Sequence, residues 1–363
     1  MPRIIGLHPA VPLLGMALLL SACVTPPTGT GPAVTPPPRP QPAPEPTPQL
    51  PPRLSAAADI LAKMAAHQDR LYRVAAPLLI NNADLCKSHA RNLLGFTAKN
   101  RYSYPGEYNE AAHVAFGMGE RLQVTGVLTG SGAARAGLKR GDGLISAGGK
   151  NLPTGPNAST LAGAVFGPLT STRADIAMKV ERDGAPRDLS IPVTRACGFG
   201  VELGNADNVN SYADGSRVMV TRGMINFVQS DDELAYLMAK GMAHNILGHA
   251  NLQRNSSTIG SIIDNLMSVR PDTSMLIGSG GIRAMSADMD AAADTLSLYL
   301  LARAGYSVDN VTAFWKRLAA SYPATVLNGY VANHPATAQR VAAIDKGVAE
   351  VKAKQSAKRP LAP

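Results

Sequence analysis

The stretch "DDELAYLMAKGMAHNILGHA", residues 231–250, decides how the C-terminal half of the chain is interpreted. A helix that holds a metal ion through two histidines carries them four residues apart, because that spacing puts both on one face. In this stretch His244 is preceded at that spacing by Lys240, and Gly241 follows the lysine. The stretch therefore has the spacing of a metal-binding helix but keeps only one of its two histidines.

The first 22 residues predict an export signal. They combine a basic residue, Arg3, with an apolar run that is too short to cross a bilayer in the mature protein. The run ends in LSAC, which resembles the bacterial lipobox and implies cleavage before Cys23 and lipidation of that residue. Val24 follows, where an aspartate would resemble an inner-membrane retention signal. The expected location is therefore the periplasm, with a lipid anchor in the outer membrane; an ordinary signal peptide followed by an unrelated cysteine is the alternative.

Residues 23–53 are interpreted as the lipidated cysteine and a proline-rich tether. Residues 24–53 contain 13 prolines and favour an extended polyproline conformation that builds no core. At about 3.1 Å per residue, such a tether reaches toward ~90 Å from the membrane.

The distribution of charge narrows the classes of macromolecule that the chain is expected to bind. The formal net charge is +9, but Lys and Arg are scattered and no basic run is interleaved with aromatic residues, so no nucleic-acid partner is expected.

If Cys23 carries lipid, Cys86 and Cys197 remain as an even pair in an oxidising compartment, which predicts a disulfide between them. Two buried free thiols are the alternative.

Short strands and glycine turns separate residues 101–195 from the helical pattern of residues 54–100. The segment "GSGAARAGLKRGDGLISAGGKNL" (130–152) resembles a bacterial PDZ domain. The resemblance implies a small β-sandwich whose groove takes a polypeptide, above all a protein C-terminus, as an added strand. It also implies a carboxylate-binding loop of four consecutive residues: Phe116, Gly117, Met118 and Gly119. A PDZ-like fold that serves only as a spacer is the alternative.

Four segments resemble, in the same order, the members of metallopeptidase family forty-eight, which are gluzincins. Besides the opening helix they are "VNSYADGSRVMVTRGMINF" (209–227), "MDAAADTLSLYLLARAGYSVDNVTAFWKRLA" (289–319) and "NHPATAQR" (333–340). The resemblance implies an α+β fold with a mostly helical zincin-like domain and a small edge sheet. That domain comprises residues 54–100 and 196–352, the PDZ-like segment is inserted between its two parts, and residues 353–363 form a tail.

The resemblance implies an incomplete zinc site. In active members two histidines and a glutamate bind zinc, and a glutamate beside the first histidine acts as general base. The first ligand position holds Lys240, and the base position holds Gly241. His244 keeps the second ligand position, and the shorter Asp290 takes the third. A protonated lysine is no zinc ligand, so no cofactor is expected, and only His244 and Asp290 would remain as ligands if zinc were bound.

Three groups that support the site in active members are retained: Asp294, His334 and Arg340. The combination favours a catalytically inactive pseudopeptidase that binds polypeptides through its cleft and its PDZ-like groove, in an adaptor or quality-control role in the cell envelope. An active zinc metalloendopeptidase with atypical ligands is one alternative, and a scaffold that uses neither site is another.

Local motifs predict where individual turns and helices begin or end. Asp183-Gly184 lies between two alternating runs and predicts a hairpin, and a strand pair is expected around Asp214-Gly215. Ser230 with Glu233 forms a capping box that predicts the start of a helix, and Gly305 is expected to end one. Trp315 lies in a helical pattern and is expected in the core.

Two side chains of the helix region carry further hypotheses. Lys240 is expected to place its ammonium where the metal would lie and to pair with Asp290, with a solvated Lys240 in an open cleft as the alternative. His249 lies five residues after His244, too far round a continuous helix to share its face, and is expected to be a partly exposed structural histidine.

Overall fold

The computed structural model describes four ranges of the chain: residues 50–252, 256–276, 286–322 and 338–363. The signal segment, the lipidation site Cys23, nearly all of the tether and His334 lie outside these ranges. Leu50–Pro363 make up one compact unit. Within the part of the chain that the structure describes, no helix is long and apolar enough to cross a membrane.

Helix α1 (Pro52–Asn81) joins the N-terminal part of this unit to its C-terminal part. It starts with a proline in its first turn, where the missing N–H group would have no helical partner in any case. Its C-terminal half enters the main hydrophobic core through residues with no solvent exposure: Leu71, Val74, Ala75 and Leu78. The second half of the helix is therefore held by packing in this core.

A two-stranded ribbon marks where the β-rich segment leaves and rejoins the helical part. Strand β1 (Ala90–Leu93) pairs antiparallel with β8 (Thr194–Cys197), and Ala90 lies opposite Cys197. A disulfide joins Cys86 to Cys197 at the base of the ribbon, with a Cα–Cα distance of 5.5 Å. The residues between the two strands form an insert that is enclosed in one covalently closed loop.

The insert is built on a six-stranded sheet with the order β2-β3-β4-β6-β7, in which β5 also pairs with β4. Its strands are β2 (Phe96–Lys99), β3 (Gln123–Val127), β4 (Gly143–Ala147), β5 (Lys150–Asn151), β6 (Asp175–Arg182) and β7 (Ala185–Pro192). Its helices are α2 (Tyr108–Phe116), α3 (Gly132–Arg135) and α4 (Ala158–Thr172). The hairpin predicted at Asp183-Gly184 joins β6 to β7, and both turn residues have positive φ, as such a turn requires. The sheet includes β2, which lies before residue 101.

The C-terminal part combines a small sheet with most of the described helices. Strands β9 (Gly200–Gly204), β10 (Ser211–Ala213) and β11 (Arg217–Thr221) lie in the order β10-β11-β9. The pair β10–β11 is antiparallel around Asp214-Gly215, where the sequence predicts a strand pair, whereas β9 runs parallel to β11. The helices are α5 (Arg222–Phe227), α6 (Asp231–Ile246), α7 (His249–Leu252), α8 (Ser256–Leu266), α9 (Ala287–Ala304), α10 (Val311–Ser321) and α11 (Ala338–Ser356).

Helix α6 is the centre of this part of the molecule. The Ser230 hydroxyl accepts a hydrogen bond from the Glu233 N–H group, so the predicted cap starts the helix. Every residue from Leu234 to Ile246 is buried, and the helix packs against α1, α9 and β11. The mixture of helix and strand agrees with the expected α+β fold. Because residues 234–246 are buried on all sides, any charge among them must find a partner inside the protein.

Candidate functional site

Helices α6 and α9 bring together four of the residues singled out in the sequence. Lys240 and His244 lie one helical turn apart on α6, and Asp290 and Asp294 lie one turn apart on α9. The i, i+4 spacing on each helix aims both side chains at the facing helix. All four residues are at least 94% buried on both helices, so their contacts form away from bulk water.

Lys240 is paired with carboxylates rather than solvated. Its Nζ atom lies 2.7 Å from Asp290 Oδ1 and 2.8 Å from Asp294 Oδ1. The Arg340 Nε atom lies 2.8 Å from Asp294 Oδ2 and 3.3 Å from Asp290 Oδ2. Two cations and two carboxylates thus form a formally neutral cluster, which we call the Lys240 cluster. It contains the Lys240–Asp290 pair anticipated from the sequence.

The indole of Trp315 on α10 completes the cluster. The ring centroid lies 4.9 Å from Lys240 Nζ and 5.2 Å from the guanidinium carbon of Arg340. An aromatic face within about 6 Å of a cation stabilises its charge, and more strongly when water is excluded. Sequence reasoning assigned Trp315 only to the core, because helical spacing shows that a residue is buried but not which charges it faces.

The charges within the cluster support one another. Burial works against ionisation of Asp290, but Lys240, His244 and Arg340 together lower the pKa of this carboxyl well below its usual range. Burial likewise works against the charged form of Arg340, yet Asp294 and Asp290 raise the pKa of its guanidinium. Asp290 is therefore held as a carboxylate, and its negative charge is balanced by the protein's own cations.

The donor set does not fit a catalytic zinc ion. Such a site needs three neutral or anionic protein ligands and an open position. The Lys240 ammonium is a cation with no lone pair, and it lies between the two carboxylates that could have served the metal. In the part of the chain that the structure describes, no group of three or more His, Cys, Asp or Glu residues is arranged to hold a metal ion.

His249 differs from its expectation. It is 5% exposed, and its Nδ1 atom lies 2.9 Å from Nδ1 of His244, so one imidazole donates a hydrogen bond to the other. The expectation of partial exposure assumed that α6 continues, but the helix ends at Ile246 and Gly248, with φ +70°, redirects the chain. Burial lowers the pKa of His244, and burial with the nearby His244 lowers the pKa of His249 to about 4.

Gly241 is required by close packing between α6 and β11. A Cβ atom at this position would lie 2.8 Å from Cγ1 and 3.2 Å from Cγ2 of Val218. Val218 is 1% exposed and therefore has little freedom to withdraw. The space beside the helix at the base position is thus filled by a strand side chain, and glutamate cannot be accommodated there without rearrangement of β11.

A cavity of about 310 Å³ adjoins the Lys240 cluster between α9 and α11. Asp290, Asp294 and Arg340 form its polar side, and Leu298 and Ile344 lie on its apolar side. The cluster is therefore close to a space that could admit part of a ligand, although its carboxylates are already engaged.

The four residues assigned to the carboxylate-binding loop lie at the end of α2. The Gly117 N–H group, at φ +67°, donates to the Ala112 and His113 carbonyls as a helix cap. Met118 is 1% exposed and packs with the N-terminal half of α1. The Gly119 carbonyl accepts from the Arg101 N–H at 3.1 Å, so this loop lies just beyond the end of β2, at one edge of the insert's sheet.

That edge is formed by β2, a strand that the sequence interpretation did not single out. Among the described residues β2 pairs only with β3, so one side of its backbone is available to an added strand. Phe96 of β2 contacts Phe166 of α4 with ring centroids 6.0 Å apart. The short segment Leu93-Leu94-Gly95-Phe96, a turn glycine before a strand, was the available sequence signal.

Helices α6 and α9 face each other and place their site residues one helical turn apart, but Lys240 takes the position of a ligand. The sequence profile of Peptidase family M48 matches residues 171–348, so this part of the chain is similar to that family. The match begins in the last turn of α4 and includes α6, α9 and Arg340. A search of curated proteins found no significant match.

Proposed function

We propose that this chain is a catalytically inactive M48-family protein that binds polypeptides without cleaving them. The observation that carries the proposal is the Lys240 ammonium, which lies within 2.8 Å of both Asp290 and Asp294. It supplies, inside the fold, positive charge at the carboxylates where active members of the family hold zinc. The cluster is neutral without a metal, so a zinc ion would have to displace an existing buried ion pair.

The missing base supports the same proposal independently of the metal. General-base assistance commonly contributes a factor of about 10²–10⁴ in rate. Gly241 offers no proton acceptor, and Val218 fills the neighbouring space. Loss of activity therefore does not depend on whether traces of zinc can bind.

Zinc content and proteolysis test this proposal directly. Elemental analysis of the purified protein is expected to show far less than one zinc per chain, and casein is expected to remain uncleaved with or without chelator. The matched variant Lys240→His restores two histidines at i and i+4 and is expected to gain zinc but not proteolysis, because Gly241 is unchanged. Stoichiometric zinc with chelator-sensitive cleavage by the wild-type chain would instead establish an active endopeptidase with atypical ligands.

Polypeptide binding is proposed at the open edge of β2. An extended segment added there would pair with the β2 backbone and place alternate side chains against the apolar face of α4, including Phe166 and Leu169. This location differs from the loop at Phe116–Gly119 that the PDZ-like sequence suggests, where the Gly117 N–H group is used in a helix cap. Protein C-termini are the proposed partners, as the PDZ-like sequence suggests.

Calorimetric titration with a library of C-terminal peptides tests this site. Binding is expected for the wild-type chain, and Phe166→Ala is expected to weaken it while a substitution in the α2 turn, Phe116→Ala, leaves it unchanged. Absence of binding by every peptide would leave the insert as a spacer within a scaffold.

The lipid anchor and the periplasmic, outer-membrane location are proposed from the sequence around Cys23. A lipoprotein would be recovered in the membrane fraction and would carry acyl chains on its N-terminal cysteine. Cys23→Ser is expected to release the protein from the membrane, and recovery of both forms in the soluble fraction would contradict the anchor. An adaptor role in envelope quality control follows only if the anchor and peptide binding are both found.

A further inference from the structure

A second cavity lies between helix α1, strands β2 and β3 of the insert, and strand β9. Its volume is about 380 Å³, within the range of small-molecule sites at roughly 300–1,000 Å³. No residue of the Lys240 cluster lines it. Leu61 and Met64 of α1 form an apolar wall, whereas the walls from β2 and β9 carry charged groups.

The cavity is lined by four charged residues, two of which pair with each other. Arg140 and Asp69 form an ion pair across its rim. Lys99 on β2 and Glu202 on β9 face the same space and influence each other's ionisation, but they are too far apart to form an ion pair. Lys99 and Glu202 are therefore the charges that a ligand can engage.

Surrounding groups hold these two charges in place. The ammonium of Lys99 lies 5.5 Å from the ring centroid of Tyr104. Next to Glu202, the Gln68 side chain donates from Nε2 to the Val201 carbonyl at 3.0 Å and accepts from the Leu203 N–H at 3.1 Å. Helix α1 is thus fastened to β9 on both sides of Glu202, which fixes the cavity wall.

The two charged groups differ in their exposure. Lys99 is exposed to solvent, although the protein atoms around its ammonium lower its pKa and Glu202 only partly offsets this effect. Burial raises the pKa of Glu202, against the opposing influence of Lys99 and Arg217. A carboxylate brought to Lys99 and an ammonium brought to Glu202 would each favour the charged form of its partner.

We propose that this cavity binds a small zwitterion of amino-acid or dipeptide size. Its carboxylate engages Lys99, its ammonium engages Glu202, and its side chain lies against Leu61 and Met64. Lys99 belongs to the insert and Glu202 to the C-terminal sheet. A ligand that contacts both therefore links the insert to the rest of the molecule. The site is independent of any activity at the Lys240 cluster.

Calorimetry on the full chain tests the proposal with three probes: leucyl-leucine, N-acetyl-leucyl-leucine and leucyl-leucine amide. The free dipeptide is expected to bind one to one. The acetylated probe lacks the ammonium and the amide lacks the carboxylate, so each is expected to bind at least about tenfold more weakly, as the loss of one charge-assisted contact implies. Absence of binding by the free dipeptide, or equal binding of all three probes, overturns the proposal.

Two variants assign the charges to their ends of the ligand. In Lys99→Met, leucyl-leucine and leucyl-leucine amide are expected to bind with equal affinity. In Glu202→Gln, leucyl-leucine and N-acetyl-leucyl-leucine are expected to bind with equal affinity. Lys63→Met, at an exposed lysine of α1 that does not line the cavity, serves as control and retains both preferences. Unchanged melting temperatures show that the variants are folded, and preferences that persist in both site variants would refute the assignment.

Discussion

Replacing Gly241 by alanine tests whether packing against β11 has removed the space of the catalytic base. The new Cβ would lie 2.8 Å from Val218 Cγ1, well inside the optimal carbon separation of about 3.5–4.0 Å. Overpacking of a core typically costs about 1–3 kcal/mol, while alanine in a helix is favoured over glycine by about 1 kcal/mol. Because Val218 is buried on a paired strand, we expect a net loss of up to about 2 kcal/mol in the free energy of unfolding.

Urea unfolding of a double-mutant cycle measures this effect. Val218→Ala alone leaves a cavity, and the methyl group of Gly241→Ala fills part of it, so the double variant is expected to be more stable than the sum of the single changes by at least about 1 kcal/mol. Gly163→Ala is the control, because Gly163 is exposed in α4 with no atom within 4 Å of its would-be Cβ, and it is expected to stabilise. A stabilising Gly241→Ala, or additive effects of the two changes, would refute the reasoning.

Three further predictions concern the buried charges and the disulfide. Lys240→Ala is expected to cost about 3–5 kcal/mol of unfolding free energy, and Asp290→Ala is expected to add little in the double variant; additive losses in denaturant unfolding would contradict their pairing. With the pKa of His249 at about 4 in the folded protein against 6.5 as the ordinary value, the unfolded chain binds more protons between these values, so stability falls as pH drops from 6.5 toward 4. In chelator-treated protein, His249→Gln is expected to flatten this dependence by up to roughly 3 kcal/mol, and an unchanged pH profile of melting would contradict it. Replacing Cys86 and Cys197 by serine is expected to cost about 4–5 kcal/mol in the chain-entropy model, checked by denaturant midpoints under oxidising conditions.

Local signals in the sequence were reliable where one short segment sets the backbone. Ser230 caps α6, Asp183-Gly184 turns a hairpin, and Gly305 ends α9 in a left-handed conformation. Each depends on residues next to one another in the chain, so the chemistry of the turn or cap is visible in the sequence. The Lys240–Asp290 contact could be anticipated because family resemblance aligned two distant helices.

Contacts that depend on packing between distant elements were not visible. Trp315 faces Lys240 and Arg340 only because α10 and α11 both approach α6 and α9. The cap that Gly117 provides for α2 was also not visible, because a glycine that ends a helix and a glycine that lines a carboxylate-binding loop look alike in sequence. His249 was misplaced because its geometry depends on the helix ending at Ile246, a boundary that helical spacing does not reveal.

The disulfide between Cys86 and Cys197 also determines how the chain transmits mechanical force. The two cysteines are separated by 111 positions, yet they lie side by side where the insert leaves and rejoins the helical part. A force applied through α1 would be transmitted directly to β9 through the disulfide bond. The residues between the two cysteines would then bear no load. If the N-terminus is tethered to a membrane, the insert can keep its fold, and any bound peptide, while the rest of the molecule is under tension.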